Sequence, residues 1–298
     1  MDYDRRLCEW IASAATEDDR RTLFEFASEI TFFNREDFGK LYEAAMSGPI
    51  SRWLVDELKL SLSEGDLPTK VADAAHSGTW YCPLSDSMPI ADFHHANGIG
   101  GIQYRPDWRS IVAFGEIDRL KQFMNSQHSR IDRIVLLEDF VGAGWQISEP
   151  LRHEPSPSGL AQISHDVVTF AQLMPNISFL FVPLIICPEG AEKIRDMVAQ
   201  VPNAEVSPVL ELSDAEFISP HHPPHPGTLH ERVFDLASRL YPLVKGNGLD
   251  MRPYTAYGNS ETGARVVMYS NTPAGSLPII HHTSNTWNPP FPRSARVK

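Results

Sequence analysis

Cysteine is scarce: Cys8, Cys82 and Cys187 are the three in 298 residues, and they lie far apart. That spacing excludes a disulfide framework and a zinc knuckle. Long apolar runs are missing too, with no stretch approaching the roughly 20 residues a membrane-spanning helix needs. The opening "MDYDRRLCEW" has no apolar segment after its charges, so no secretory leader is expected. Cations are short: 26 Lys and Arg stand against 38 Asp and Glu, a formal net charge of −12. Broad, sequence-independent grip on nucleic acid depends on cations meeting phosphates, and this balance argues against it. Repeats and low-complexity tracts are absent. A hydrophobic fraction of 42% supports a real core. The expectation is a soluble, reduced, cytoplasmic protein built as one large domain or as one domain with an extension.

What is present begins with helical periodicity. Leu23, Phe26, Ile30 and Phe33 recur at helical intervals and predict one apolar stripe. Ile50, Leu54 and Leu58 repeat the pattern beside Trp53, and Ser47–Gly48–Pro49 is expected to separate the two helices. Residues 1–75 are thus read as a helical N-terminal layer, and residues 76–298 as the domain it covers. From Thr79 the texture changes. "TWYCPLSDSMPI" reads as a short aromatic strand and a polar loop, and "SIVAFGEIDRLKQFM" as a strand passing into a helix. Ile134–Leu137 and "ISFLFVPLIIC" from Ile177 are continuous apolar runs, the mark of strands buried on both faces. "LAQISHDVVTFAQLM" and "EGAEKIRDMVAQ" read as helices, and "AEVSPVLEL" as a third strand. Alternation of this kind means βαβ units and a parallel sheet with right-handed crossovers. The four prolines of "SPHHPPHPG" make it a loop; "TLHERVFDLASRLYPLV" reads as a helix and "ARVVMYS" as a strand.

In open parallel sheets, ligands bind beyond the carboxyl ends of the strands. "RIVLLEDFVGAGWQI" places Glu138 and Asp139 at such an end. Adjacent ionised carboxylates are rarely buried without partners, so a cation or a polyol between them is expected. Gly142, Ala143 and Gly144 follow, small enough for backbone N–H groups to approach an anion. An acidic pair beside such a turn suits a ligand with phosphate at one end and ribose hydroxyls or magnesium at the other. Magnesium would be held mostly through water.

The stretch "IVLLEDFVGAGWQI" resembles the PRPP (phosphoribosyl pyrophosphate) motif of type I phosphoribosyltransferases, in which four apolar residues precede two acids and a small loop. In that family the acidic pair meets the ribose hydroxyls and the loop binds the 5′-phosphate. The resemblance implies catalytic roles for Glu138 and Asp139, and a phosphate and ribose turn of Phe140, Val141, Gly142, Ala143, Gly144, Trp145 and Gln146. The family usually has Thr or Ser where Ala143 and Gln146 stand, and its purine-binding members often have Asp at the place of Gly142. "PLSDSM" lies where these enzymes keep a pyrophosphate loop, which implies Ser85, Asp86 and Ser87, with Asp86 and Asp139 reaching magnesium through water. An ordinary Ser or Asx turn is the alternative.

The tail "VVMYSNTPAGSLPII" with "WNPPFPR" resembles the ending of a divergent bacterial group, the phosphoribosyltransferase-like proteins of antiphage conflict cassettes, including some retron operons. This likeness runs from about residue 20 to Arg293. It implies an α/β fold, a parallel sheet flanked by helices under a helical N-terminal layer, with a C-terminal hood carrying Asn271, Thr272, Trp287 and Arg293. It also implies partners: other proteins of the same cassette and, in a retron, a reverse transcriptase–nucleic acid complex. No membrane partner is expected.

Three functions are weighed. The first is an effector enzyme acting at the anomeric carbon of a nucleotide or PRPP with magnesium. The second is an inert nucleotide-sensing or regulatory subunit. The third is an S-adenosylmethionine-dependent methyltransferase, since "DFVGAG" resembles an opening motif of such enzymes. That reading expects an acid at the end of the next strand, which instead ends "IICPEG", and it leaves Glu138 unexplained. A purely structural role, helix capping and arginine pairing, is the fourth possibility for the acidic pair. His221, His222 and His225 need further ligands to hold zinc and are read as solvated loop histidines. His94–His95 and His281–His282 would diverge if they lay on strands, although His281 or His282 stays a candidate acid or base. Trp287, Pro289 and Phe291 read as core-capping residues, and Arg293 as a partner of an anion or a carboxylate.

Overall fold

A computed structural model describes residues 3–61, 63, 65–85, 87–100, 131–144, 175–199, 201–245 and 254–293. The predicted segments 110–124 and 160–174 lie outside the described residues. The chain divides into two units, residues 1–35 with 213–298, and residues 36–212.

The first unit opens with α1 (Tyr3–Ala12) and α2 (Glu17–Ala27). Thr16 caps α2 by accepting the Asp19 N–H at 3.1 Å, and Glu17, Asp18 and Asp19 complement the helix dipole. Leu23 and Phe26 are fully buried, as their spacing predicts. The helical stripe does not continue to Phe33. Thr31–Phe33 form strand β1, which pairs in parallel with Val266–Met268 far along the chain. A β-branched residue followed by two aromatics suits an extended strand, and the distant partner decides the matter.

The second unit begins with α3 (Arg35–Ala45), a π turn (Met46–Ile50) and α4 (Ser51–Glu57). Gly48 and Pro49 were expected to separate two helices; instead the π turn carries one helix into the next. The wider turn tolerates Pro49, which has no N–H to place, and both the Ser51 N–H and its hydroxyl reach the Met46 carbonyl. Then come α5 (Leu67–His76), β2 (Thr79–Pro83), α6 (Ile90–Ala96), β3 (Arg133–Val141), β4 (Ser178–Ile186), α7 (Pro188–Val198), β5 (Ala204–Val206) and β6 (Leu210–Glu211). The sheet runs β2-β3-β4-β5, with β6 also on β4, and every pairing is parallel. This is an α/β fold with a parallel central sheet flanked by helices. β3 and β4 are buried from their second residue onward, which is why both read as unbroken apolar runs. Trp80, Cys82, Leu136, Phe179, Phe181 and Ile194 share one core.

The third predicted strand is two short ones. Phe181 pairs with Val206 and Ile185 with Leu210, and between these registers lie Pro183 on β4 and Pro208 on the other side. Pro183 has no N–H, so one rung is missing there, although the Ser207 N–H still reaches the Phe181 carbonyl and the Val209 N–H the Pro183 carbonyl, both at 2.9 Å.

The chain then completes the first unit. α8 (Leu229–Lys245) follows the proline-rich loop and is capped by Thr228, which accepts the Glu231 N–H at 3.2 Å. After it come β7 (Tyr254–Thr255), β8 (Gly258–Asn259), β9 (Val266–Met268) and α9 (Pro278–His281). Trp10 and Trp287 both donate their indole N–H to the Ile279 carbonyl, at 2.8 and 2.9 Å, inside a core shared with Leu23, Phe26 and Leu236.

Two ion pairs tie α2 to α8, Arg232 with Glu25 and Arg239 with Asp19. Arg239 donates to both oxygens of Asp19, at 2.7 and 3.3 Å, and this holds the Asp19 carboxyl below the usual carboxylate range. A depressed pKa in the folded state contributes stability above the unfolded value, about 4, which is lost as pH falls below it. Asp19→Asn should therefore cost about 1 kcal/mol at pH 7 and less at pH 3, where the carboxyl begins to take up its proton. Urea unfolding of both proteins at the two pH values checks this.

Candidate functional site

β3 outruns β2. Pro83, the last residue of β2, pairs with Leu137, and the Leu84 N–H donates to the Leu137 carbonyl at 2.8 Å. β4 continues alongside, pairing Pro183 with Glu138 and Ile186 with Val141. Glu138 and Asp139 thus stand at the carboxyl edge of the sheet, past the end of one neighbour. They lie within β3 rather than after it, and they are 0% and 2% exposed.

Buried carboxylates need donors. Asp139 Oδ1 accepts the Phe140 N–H at 2.8 Å and the Ser87 hydroxyl at 3.1 Å. Ser87 Oγ lies 2.6 Å from Ser85 Oγ, which also accepts the Ser87 N–H at 3.2 Å. The loop after β2 and the acidic strand end therefore meet through a chain of hydroxyls. Its donor set is oxygen throughout, the chemistry that magnesium takes. Asp86, Trp145 and Gln146 lie outside the described residues.

The glycine turn is clamped by α7. A Cβ on Gly190, in the first turn of α7, would lie 2.1 Å from the Gly142 carbonyl oxygen, so no side chain fits there. Gly144 has φ +78°, a left-handed value that favours glycine. The Cys187 N–H donates to the Val141 carbonyl at 2.8 Å, and Lys193 Nζ to the Ala143 carbonyl at 3.3 Å. Burial pushes the Cys187 thiol up, away from the reactive thiolate. Sequence reasoning missed Gly190 and Lys193. The available signal was a glycine inside a helix, which costs about 1 kcal/mol relative to alanine and so demands a reason.

Asn271, Thr272, Trp287 and Arg293 belong to the other unit. There Asn271 Oδ1 accepts the Thr272 N–H at 2.9 Å, the Arg293 N–H donates to the His281 carbonyl at 3.0 Å, and Trp287 is fully buried. His94 and His95 lie on α6, not on a strand; His94 is buried and His95 exposed. His281 also lies on a helix, α9, where burial pushes its pKa down to about 3. That value leaves it a poor general acid at neutral pH. His222, His225 and His230 line a cavity of about 620 Å³ with Glu29, Asp214 and Phe217. Among the described residues, no group of three or more His, Cys, Asp or Glu side chains is placed to hold a metal ion. None of their helices is long and apolar enough to cross a membrane.

No curated protein and no solved structure matches the chain. A family match is found, and it spans residues 7–293, nearly the whole length and both halves of the sequence resemblance. With its parallel sheet and its acidic pair on the carboxyl edge, the chain is a phosphoribosyltransferase-like protein and belongs to the PRTase-CE family.

Proposed function

We propose that the carboxyl edge of β3 binds a ribose-phosphate compound, a nucleotide or PRPP, and that the protein acts at its anomeric carbon. The observation that carries this reading is the hydrogen-bonded chain Ser85–Ser87–Asp139, set beside the glycine turn 142–144. An ionised Asp139 accepts hydrogen bonds from ribose hydroxyls. As the bond at the anomeric carbon lengthens, positive charge develops on the ring. Carboxylates fixed beforehand at Glu138 and Asp139 stabilise that charge more than they stabilise the ground state. Backbone N–H groups of the turn hold the 5′-phosphate. A magnesium ion reached through water from Asp139 and Asp86, beside the serine hydroxyls, would neutralise charge on a leaving pyrophosphate.

The physiological role we assign is that of an antiphage effector working with other proteins of its cassette. The likeness of the "NTP" and "WNPPFPR" segments to that group supports it. The depth of both carboxylates and the hydroxyl-free Ala143 favour one rival, an inert subunit that senses a nucleotide. Incubating the purified protein with ribose 5-phosphate, AMP, PRPP and NAD, with and without magnesium, separates the readings. Consumption of a compound supports the enzyme; binding without turnover supports the sensor. Failure to bind any of them removes the ribose-phosphate site.

A further inference from the structure

The turn after β3 does not aim itself; a neighbouring helix aims it. The Gly142 carbonyl faces Gly190 so closely that a Cβ there would lie 2.1 Å from the oxygen. The next carbonyl, that of Ala143, is held by Lys193 Nζ at 3.3 Å. Two successive peptide groups thus present their oxygens to α7. In a trans peptide the C=O and the following N–H point in opposite directions. The N–H groups of Ala143 and Gly144 therefore face away from α7, and neither has an acceptor among the described residues. Gly144 at φ +78° gives the backbone curvature with which consecutive N–H groups form an anion cradle.

We propose that Lys193 is a positioning residue for a phosphate monoester: from α7 it fixes the Ala143 peptide so that two N–H donors face the phosphate, and its charge favours the dianion. This rests on the ribose-phosphate reading above. Charge at the turn explains the need. Glu138 and Asp139 on β3 and Glu189 in the first turn of α7 are all acidic, and they would repel a phosphate. A cation behind the turn offsets them. It also polarises the Ala143–Gly144 peptide, which strengthens the Gly144 N–H as a donor. Ala143 stands where a hydroxyl residue is usual, so the helix supplies from behind what the turn lacks in side chains.

Lys193 is half-buried near the surface of α7, so its variants should fold. The test measures AMP affinity at pH 7.5 and 5.5, on either side of the second phosphate pKa near 6. Lys193→Met should weaken AMP binding at pH 7.5 by on the order of tenfold, the scale of a hydrogen bond to a charged group. At pH 5.5, with the phosphate largely a monoanion, the loss should be clearly smaller. Lys193→Arg should restore most of the affinity at pH 7.5. Equal losses at both pH values, unrescued by arginine, would mean that the lysine merely supports packing and would overturn the proposal. So would a Lys193→Met protein that binds AMP as the parent does, though that result leaves the ligand reading standing. A parent protein that binds neither AMP, ribose 5-phosphate nor PRPP removes the ligand reading and this proposal with it.

Discussion

Asp139→Asn is expected to fold as the parent does and to lose turnover on its ribose-phosphate substrate by on the order of 10²-fold or more, the scale set by removing an electrostatic stabiliser. The structure explains why the fold should survive. Asp139 Oδ1 accepts the Phe140 N–H at 2.8 Å and the Ser87 hydroxyl at 3.1 Å, and an asparagine carbonyl oxygen can accept both. The side-chain shape is kept and the buried site loses a charge, which eases desolvation. What disappears is the negative charge that would face a cationic transition state. Ground-state binding should change less than the chemical step, so kcat falls more than KM rises.

The same variant separates an enzyme from a sensor. In a sensor there is no turnover to lose, and Asp139→Asn would shift ligand binding and partner regulation together. Gly144→Val is the companion. Its φ of +78° is unfavourable for any β-branched residue, and an added Cβ would lie 3.4 Å from the Gly190 backbone. It should distort the phosphate turn, and so reduce binding, whichever reading holds. Unchanged activity and binding in both variants would place the working surface elsewhere on the molecule.

How much of this was legible depends on where each element finds its partners. β3 and β4 could be read directly, because strands buried on both faces carry unbroken apolar runs and need no knowledge of what covers them. The parallel order followed from the alternation of strand and helix. β1 could not be read. Its partner lies at Val266–Met268, so local periodicity joined Phe33 to a helix that ends at Ala27. The break between β5 and β6 was hidden differently, because the missing donor belongs to Pro183 on the neighbouring strand, whose register against Val206 and Leu210 local sequence does not show. At the site, the carboxyl-edge position of Glu138 and Asp139 was visible in the pattern. The clamp by Gly190 and Lys193 was not, since it depends on α7 packing over a turn nearly fifty residues earlier in sequence.

His281 sets the last expectation: as pH falls below about 6.5, the unit formed by residues 1–35 and 213–298 should lose stability, and His281→Gln should remove a large share of that loss, the rest belonging to His230 and His282, which burial also pushes down. His281 is 1% exposed, and its Nε2 lies 3.2 Å from the Ser276 carbonyl oxygen. A carbonyl can only accept, so Nε2 carries the hydrogen and Nδ1 is the unprotonated nitrogen; Nδ1 has no hydrogen-bond partner among the described residues. A second proton would place a buried charge there, with Arg293 and His282 close by. Burial first, then Arg293, push the His281 pKa down to about 3. The unfolded chain keeps a value near 6.5, so between these limits it binds the proton that the folded state refuses. Stability should therefore fall with pH by up to about 1.4 kcal/mol per unit in that window, or about 2 kcal/mol from pH 7.5 to pH 5. Glutamine can still donate to the Ser276 carbonyl but cannot take the proton. Asp19 does not confuse the comparison, because its contribution is lost below about pH 4. Urea unfolding of both proteins at pH 7.5 and 5 reads the difference directly. Parallel losses would show that His281 accepts a proton in the folded state, and would return it to the list of candidate proton donors from which its burial now removes it.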